Sequence, residues 1–138
     1  MPVQLIRPAS LTDSVPYAYA AVVTAGDLVF TAGACPLDDD GEIGPVGDVA
    51  GQAARVMVNL RTALAASGAS LRDVAKTTVY VATDRREDLV EAWQVVRAAF
   101  GDHDAPSTLL AVPVLGYADQ LVEVEAVAAV GGPAPGGA

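Results

Sequence analysis

Leu121-Val-Glu-Val-Glu-Ala-Val-Ala-Ala-Val130 alternates residue by residue, and a period of two is the signature of an extended strand. Val122, Val124, Ala126, Ala128 and Val130 then share one face, with Glu123 and Glu125 side by side on the other. Two carboxylates on a strand otherwise free of charge must face water or a site. Which of the two holds decides whether this chain is a catalyst.

The remaining elements follow from local signals. Tyr17–Thr24 and Leu28–Ala34 read as strands around a tight turn at Ala25-Gly26-Asp27, hence a hairpin, after an extended lead-in over residues 1–15. Asp48 is a good N-cap for a helix over Val49–Ala66, in which Ala53, Val56, Met57, Leu60 and Leu64 recur at helical spacing before Gly68 stops it. Asp73–Ala82 is rich in β-branched residues and reads as a strand. A second helix over Arg86–Phe100 aligns Leu89, Trp93, Val96 and Phe100, and Gly101 ends it. Ser107–Val114 and Leu121–Val130 complete a β-β-α-β-α-β-β order. Residues 1–130 form a single domain, and the Gly/Pro/Ala tail from Gly131 to Ala138 has nothing to bury and is expected to be disordered.

This order predicts an α+β fold: one mixed sheet with both helices on one face. The other face is not polar enough to stand in water, because Leu28, Phe30 and Ala32 oppose Val29 and Thr31, and Leu109 and Ala111 oppose Leu110 and Val112. Hydrophobic residues make up 52% of the chain and charged ones 18%. The surplus apolar surface predicts a homo-oligomer that buries the helix-free face and leaves clefts between subunits.

Net charge is -9, with no cluster of Lys or Arg, so nucleic acid and anionic membranes are disfavoured partners. Cys35 is the only cysteine, which excludes an internal disulfide and a thiolate metal cluster. His103 is the only histidine, in a Gly-Asp-His-Asp loop read as solvated, so no metal site is expected. Gly-x-Gly phosphate loops are absent and no cofactor is expected. No secretory signal and no apolar run of spanning length is read, so the expected location is cytoplasmic.

An ordered set of segments resembles the Rid family (RidA, YjgF/UK114). It comprises Pro16-Tyr17, Leu28-Val-Phe-Thr-Ala-Gly33-Ala-Cys-Pro36 with Asp-Gly-Glu42, Gln52 through Asn59-Leu60, Asp73-Val-Ala-Lys-Thr-Thr-Val-Tyr-Val81, Ser107-Thr108 and Leu121–Ala128. The resemblance runs from about residue 14 to 130. It implies a chorismate-mutase-like fold, a homotrimer with three pockets between subunits, and, for the best-known branch, hydrolysis of reactive enamines and imines.

Carried over residue by residue, the resemblance makes Glu123 the pocket glutamate, able to orient or deprotonate the attacking water. Tyr17 would line the pocket, Gly33 would let backbone approach the ligand, and Ser107 and Thr108 would contact it. Glu125 is read as structural, paired with a basic residue such as Lys76. Cys35 is read as a small, buried apolar residue near the cleft. The chain departs from the family at Pro106, where deaminating relatives carry an arginine that grips the substrate carboxylate. Proline supplies neither charge nor N–H donor, and Arg97, the nearest arginine in sequence, is expected to face away. A small 2-iminocarboxylate is therefore a poor substrate. Trp93, where the family often has a smaller polar residue, and the apolar Leu109–Tyr117 segment point to a larger, less polar ligand.

Two readings stand. One is a cofactor-free hydrolase or lyase acting on an enamine, imine or related metabolite in a pocket between subunits. The other is a non-catalytic trimer that binds a small metabolite or a protein partner. Ribonuclease activity, sometimes attached to this family, sits badly with the acidic charge.

Overall fold

A computed structural model describes residues 2–131. Its strands are β1 (Val3–Ile6), β2 (Ala20–Val23), β3 (Asp27–Phe30), β4 (Val74–Ala82), β5 (Ser107–Val112) and β6 (Val122–Val130). Helix α1 (Val49–Ala66) precedes β4, and α2 (Arg86–Phe100) lies between β4 and β5. Nearly all of the expected tail lies outside the described residues. Among those described, no helix is long and apolar enough to cross a membrane.

Four strands form the main sheet in the order β3-β6-β4-β5. β4 and β5 run parallel, with α2 as the connection such a pair requires, while β6 is antiparallel to both β4 and β3. The alternation of β6 is realised as expected: Val122, Val124, Ala126 and Ala128 are buried with Val79 and Val81 of β4. Ala53, Val56, Met57, Leu60 and Leu64 of α1 and Ala92, Val96 and Phe100 of α2 close over them. The Asp48 carboxylate accepts the Gly51 N–H at 2.9 Å and caps α1 as its sequence implied.

The expected hairpin does not form. β2 pairs instead with β1, giving a separate two-stranded ribbon in what was read as an extended lead-in, and β3 pairs with β6. The turn is real but serves another end. Gly26 has φ +92, and a Cβ there would stand 2.3 Å from the Val130 carbonyl oxygen, so glycine lets the chain press against the end of β6. Thr24 instead donates its N–H to Pro2 across the ribbon.

The face of the main sheet away from the helices has two characters. Glu123, Glu125, Thr78, Tyr80 and Lys76 lie along its middle, with Thr108 beside them on the edge strand β5. Leu28, Phe30 and Leu110 flank them, 51, 71 and 44% exposed. The ribbon reaches only the Ala75 and Ala129 end, where Val3 packs. No other described residue covers the apolar flanks, which stay exposed.

Candidate functional site

Glu123 enters the helix-free face from β6, opposite Tyr80 of β4. Its carboxylate is held from two sides. Cys35 donates its thiol to Oε1 at 3.1 Å, and Gln120 directs its amide Nε2 to the same oxygen at 3.4 Å. Gln120 is 3% exposed and itself fixed, because its Oε1 accepts the Tyr117 N–H and its Nε2 also donates to the Val122 carbonyl. Oε2 accepts no hydrogen bond from a described residue. It lies against Gly33, where a Cβ would stand 2.7 Å from Oε2 and 2.5 Å from Cδ. Gly33 is thus a close-approach glycine, but the group it admits is the carboxylate of Glu123.

The backbone beside Gly33 is secured too. Ala34 and Val124 exchange both N–H···O bonds, at 2.7 and 3.2 Å. Asn59 of α1 donates its amide to the carbonyls of Cys35 and Leu37, and Arg55 donates to Leu37. A groove of about 400 Å³ runs past Phe30, Gly33, Cys35 and Asn59. Burial, together with the neighbouring carboxylate, pushes the Cys35 thiol up to about 11, so it is a protonated donor at neutral pH.

The other expected site residues gather elsewhere. Tyr17, Trp93, Ser107 and Thr108 line a cavity of about 420 Å³ with Pro16 and Leu109. Tyr17 is brought there by its neighbour Ala18, whose N–H donates to the Asp104 carbonyl at 2.8 Å, and by the Arg7–Asp104 ion pair at 2.9 Å. Its hydroxyl meets no described partner. The Ser107 hydroxyl is committed to Thr77 Oγ1 at 2.5 Å and to the Ala105 carbonyl at 3.1 Å, so its role there is structural. Thr108 Oγ1 accepts from Lys76 Nζ at 3.0 Å. Pro106 is buried, does not line the cavity, and passes its carbonyl to the Thr77 N–H at 3.0 Å. β4 separates β5 from β6, and Thr108 is in register with Glu125 rather than Glu123, so Thr108 and Glu123 stand roughly 12 Å apart across the sheet. Within one chain the two groups do not converge.

Four expectations need correction. Glu125 is not paired with Lys76; it accepts the Tyr80 hydroxyl at 2.7 Å, which raises the Tyr80 pKa. His103 is not in a solvated loop but 7% exposed, its Nε2 on the Val74 carbonyl at 2.8 Å and its ring stacked on Phe100. Cys35 is only partly buried, and it is a hydrogen-bonding neighbour of the glutamate rather than apolar filling. Arg97 does not turn away: it lines a small crevice with Pro16, Trp93 and Ser107, beside the cavity. Cys35 and Gln120 were missed as site residues. Their signals were slight: Cys35 lies two positions after Gly33, and Gln120 is a polar residue just before the strand that carries Glu123. No group of three or more His, Cys, Asp or Glu among the described residues is placed to hold a metal ion.

Comparison with known proteins fits this architecture. Residues 11–130 match the family described as Endoribonuclease L-PSP. A RutC family protein of Pyrococcus abyssi is 35% identical over 111 residues, covering 80% of this chain and 84% of its own. The 3-aminoacrylate deaminase RutC of Acinetobacter baylyi is 28% identical over 112 residues, covering 81% and 86%. Among solved structures, a Rid-family protein of unknown function, YyfB of Yersinia pestis, superposes with a TM-score of 0.85 at 26% identity, covering 94% of this chain and 100% of that one. With its two helices on one face of a mixed sheet and a family match across nearly its whole length, the chain belongs to the Rid (YjgF/UK114) family.

Proposed function

We propose that this protein is a cofactor-free deaminase-type hydrolase of a reactive enamine or imine, working in the cytoplasm as a homotrimer whose subunits meet over the helix-free sheet face. The observation that carries the reading is the Glu123 carboxylate. One of its oxygens is fixed by two donors and the other is left without a described partner on an otherwise apolar-flanked face. That is the arrangement a general base needs: a set orientation and a lone pair available to water.

In this reading Glu123 takes a proton from water as the water oxygen attacks the carbon of C=N. That proton passes to nitrogen to give the carbinolamine; the hydroxyl proton of the carbinolamine then reaches nitrogen by way of Glu123 as the C–N bond breaks, so ammonia leaves and a carbonyl product remains. An enamine enters the same sequence once protonated at carbon. A second copy of the chain would bring its Tyr17–Trp93–Thr108 cavity to the Glu123 of the first. The exposed Leu28, Phe30 and Leu110 supply apolar surface for such a contact. The relative whose name specifies deamination of 3-aminoacrylate, an enamine, supports the reaction class.

The substrate should not be a small 2-iminocarboxylate. A buried proline occupies the position of the family's carboxylate-gripping arginine, the cavity wall is apolar at Pro16, Trp93 and Leu109, and Arg97 lines the adjoining crevice rather than the cavity itself. A nucleic-acid substrate is disfavoured by the net charge of -9. Four of the eight basic residues, Arg7, Arg55, Arg72 and Arg85, are already paired with carboxylates.

The test is ammonia release from imines generated in situ by an amino-acid oxidase, with small polar and large apolar side chains, comparing wild type with Pro106→Arg. Release from the large apolar imines by wild type, with gain on the small ones only in the variant, is expected. Efficient wild-type turnover of the small imines would overturn the substrate assignment. Silence of both proteins across the panel, with a panel compound still raising the melting temperature, would favour a binding role instead.

A further inference from the structure

We infer that Cys35 is a positioning residue for Glu123: with Gln120, its thiol fixes which carboxylate oxygen faces the reacting water. The inference rests on the hydrolase reading for its catalytic consequence, but its geometry stands apart from any substrate. Glu123 Oε1 receives both donors, Cys35 Sγ at 3.1 Å and Gln120 Nε2 at 3.4 Å, while Oε2 packs toward Gly33, where even a Cβ would stand 2.7 Å from it. A carboxylate so held cannot exchange its two oxygens freely, so the unbonded Oε2 is the one presented for proton transfer.

Cys35 is itself held for this task. Ala34 is bridged to Val124 on one side, and the Cys35 carbonyl accepts from Asn59 of α1 on the other. Within this arrangement a nucleophilic thiol is the wrong assignment. The negative charge of Glu123 opposes thiolate formation, and the thiol proton is engaged with the carboxylate. The charged surroundings of the thiol agree: Glu123 is the only charged group hydrogen-bonded to it among the described residues, and Gln120 is neutral.

Three variants test the inference. Cys35→Ala removes the donor and leaves Glu123 with Gln120 alone, so the carboxylate loses one of the two contacts that fix its orientation. At neutral pH the carbon-detected NMR signal of the Glu123 carboxylate, assigned from Glu123→Gln, should shift and broaden in Cys35→Ala, a readout that needs no substrate. Cys35→Ser keeps a hydroxyl donor and should restore the wild-type signal. In the reciprocal experiment, the pH dependence of Cys35 alkylation by iodoacetamide should move to lower pH in Glu123→Gln, because the neighbouring charge is gone.

Given a turned-over substrate, kcat should fall in Cys35→Ala and return in Cys35→Ser, with KM little changed. An unmoved Glu123 carboxylate signal in Cys35→Ala together with an unmoved alkylation profile in Glu123→Gln would overturn the positioning role. If both readouts move and no substrate is ever hydrolysed, the positioning stands and the hydrolase reading falls.

Discussion

Glu123 and Gly33 are a matched pair at the residue scale. A methyl group at position 33 would stand 2.5 Å from the Glu123 Cδ, and strand pairing of Ala34 with Val124 leaves the backbone little room to yield. Gly33→Ala should therefore turn the Glu123 side chain away from its two donors. We expect at least a tenfold loss of turnover, and a destabilisation of about 1–3 kcal/mol typical of overpacking, read from ammonia release and chemical denaturation. The Cys35 thiol gives a pH prediction. Its pKa is raised from 9.0 to about 11 in the folded chain, so between these values the unfolded chain has lost a proton that the folded chain keeps. The stabilisation is fully present below pH 9 and is lost as pH climbs through 11. Melting temperature should accordingly fall more steeply over that window in wild type than in Cys35→Ser, whose side chain does not titrate there; equal slopes would contradict the shift. Much of this was legible in the sequence. The alternation of β6 put Glu123 on the right face, and Gly33 marked close approach, although β3 ends at Phe30 and the glycine lies beyond it. What periodicity cannot give is the partner. Cys35 and Gln120 reach Glu123 through the β6–Ala34 bridge and a bend before the strand, contacts between residues 88 and 3 positions apart that no local pattern encodes.

At the scale of elements, Gln52 fixes the entry to β6. It is fully buried in α1, donates to the carbonyls of Pro45 and Asp119 at 3.0 and 2.9 Å, and accepts the Leu121 N–H at 2.7 Å. Gln52→Leu would leave those backbone groups without partners, costing about 2–4 kcal/mol with a loosened Gln120–Glu123 segment. Urea unfolding reads the first effect, and faster amide exchange at Leu121 reads the second. Both helices were legible to the residue, because cap, apolar spacing and terminating glycine agreed at each end of α1, and spacing and glycine agreed for α2. The hairpin was misread for a physical reason. Ala25-Gly26-Asp27 carries the chemistry of a tight turn, but turn residues say only that the chain reverses, not which strands pair. Here β6 offers β3 its apolar end, Val127–Val130, while β2 is taken by β1. His103 was misread likewise: its polar neighbours imply a loop, yet the Val74 carbonyl needs a donor and the imidazole supplies it.

The whole molecule leaves one face unfinished. Phe30 at 71% and Leu28 at 51% exposure flank a polar strip that contains the candidate base, and the Tyr17–Trp93–Thr108 cavity opens two strands away. Phe30→Lys should leave the single-chain fold intact, since the side chain contributes little to its core, yet abolish self-association as read by sedimentation velocity. A variant that still sediments as the wild-type oligomer would show that this face is not the contact. Composition made the surplus apolar surface legible, and Leu28, Phe30 and Leu110 are exposed; which residues fall into each of the two groups was not legible, since no contact among the described residues brings Glu123 near Tyr17. The most direct test of the account is the rate of ammonia release from the enamine or imine panel by wild type against Glu123→Gln, with sedimentation and circular dichroism confirming equal assembly and fold. At least one compound should be hydrolysed by wild type and lose a factor of about 100 or more in the variant, the scale of a lost general base; equal rates in the two proteins would contradict it.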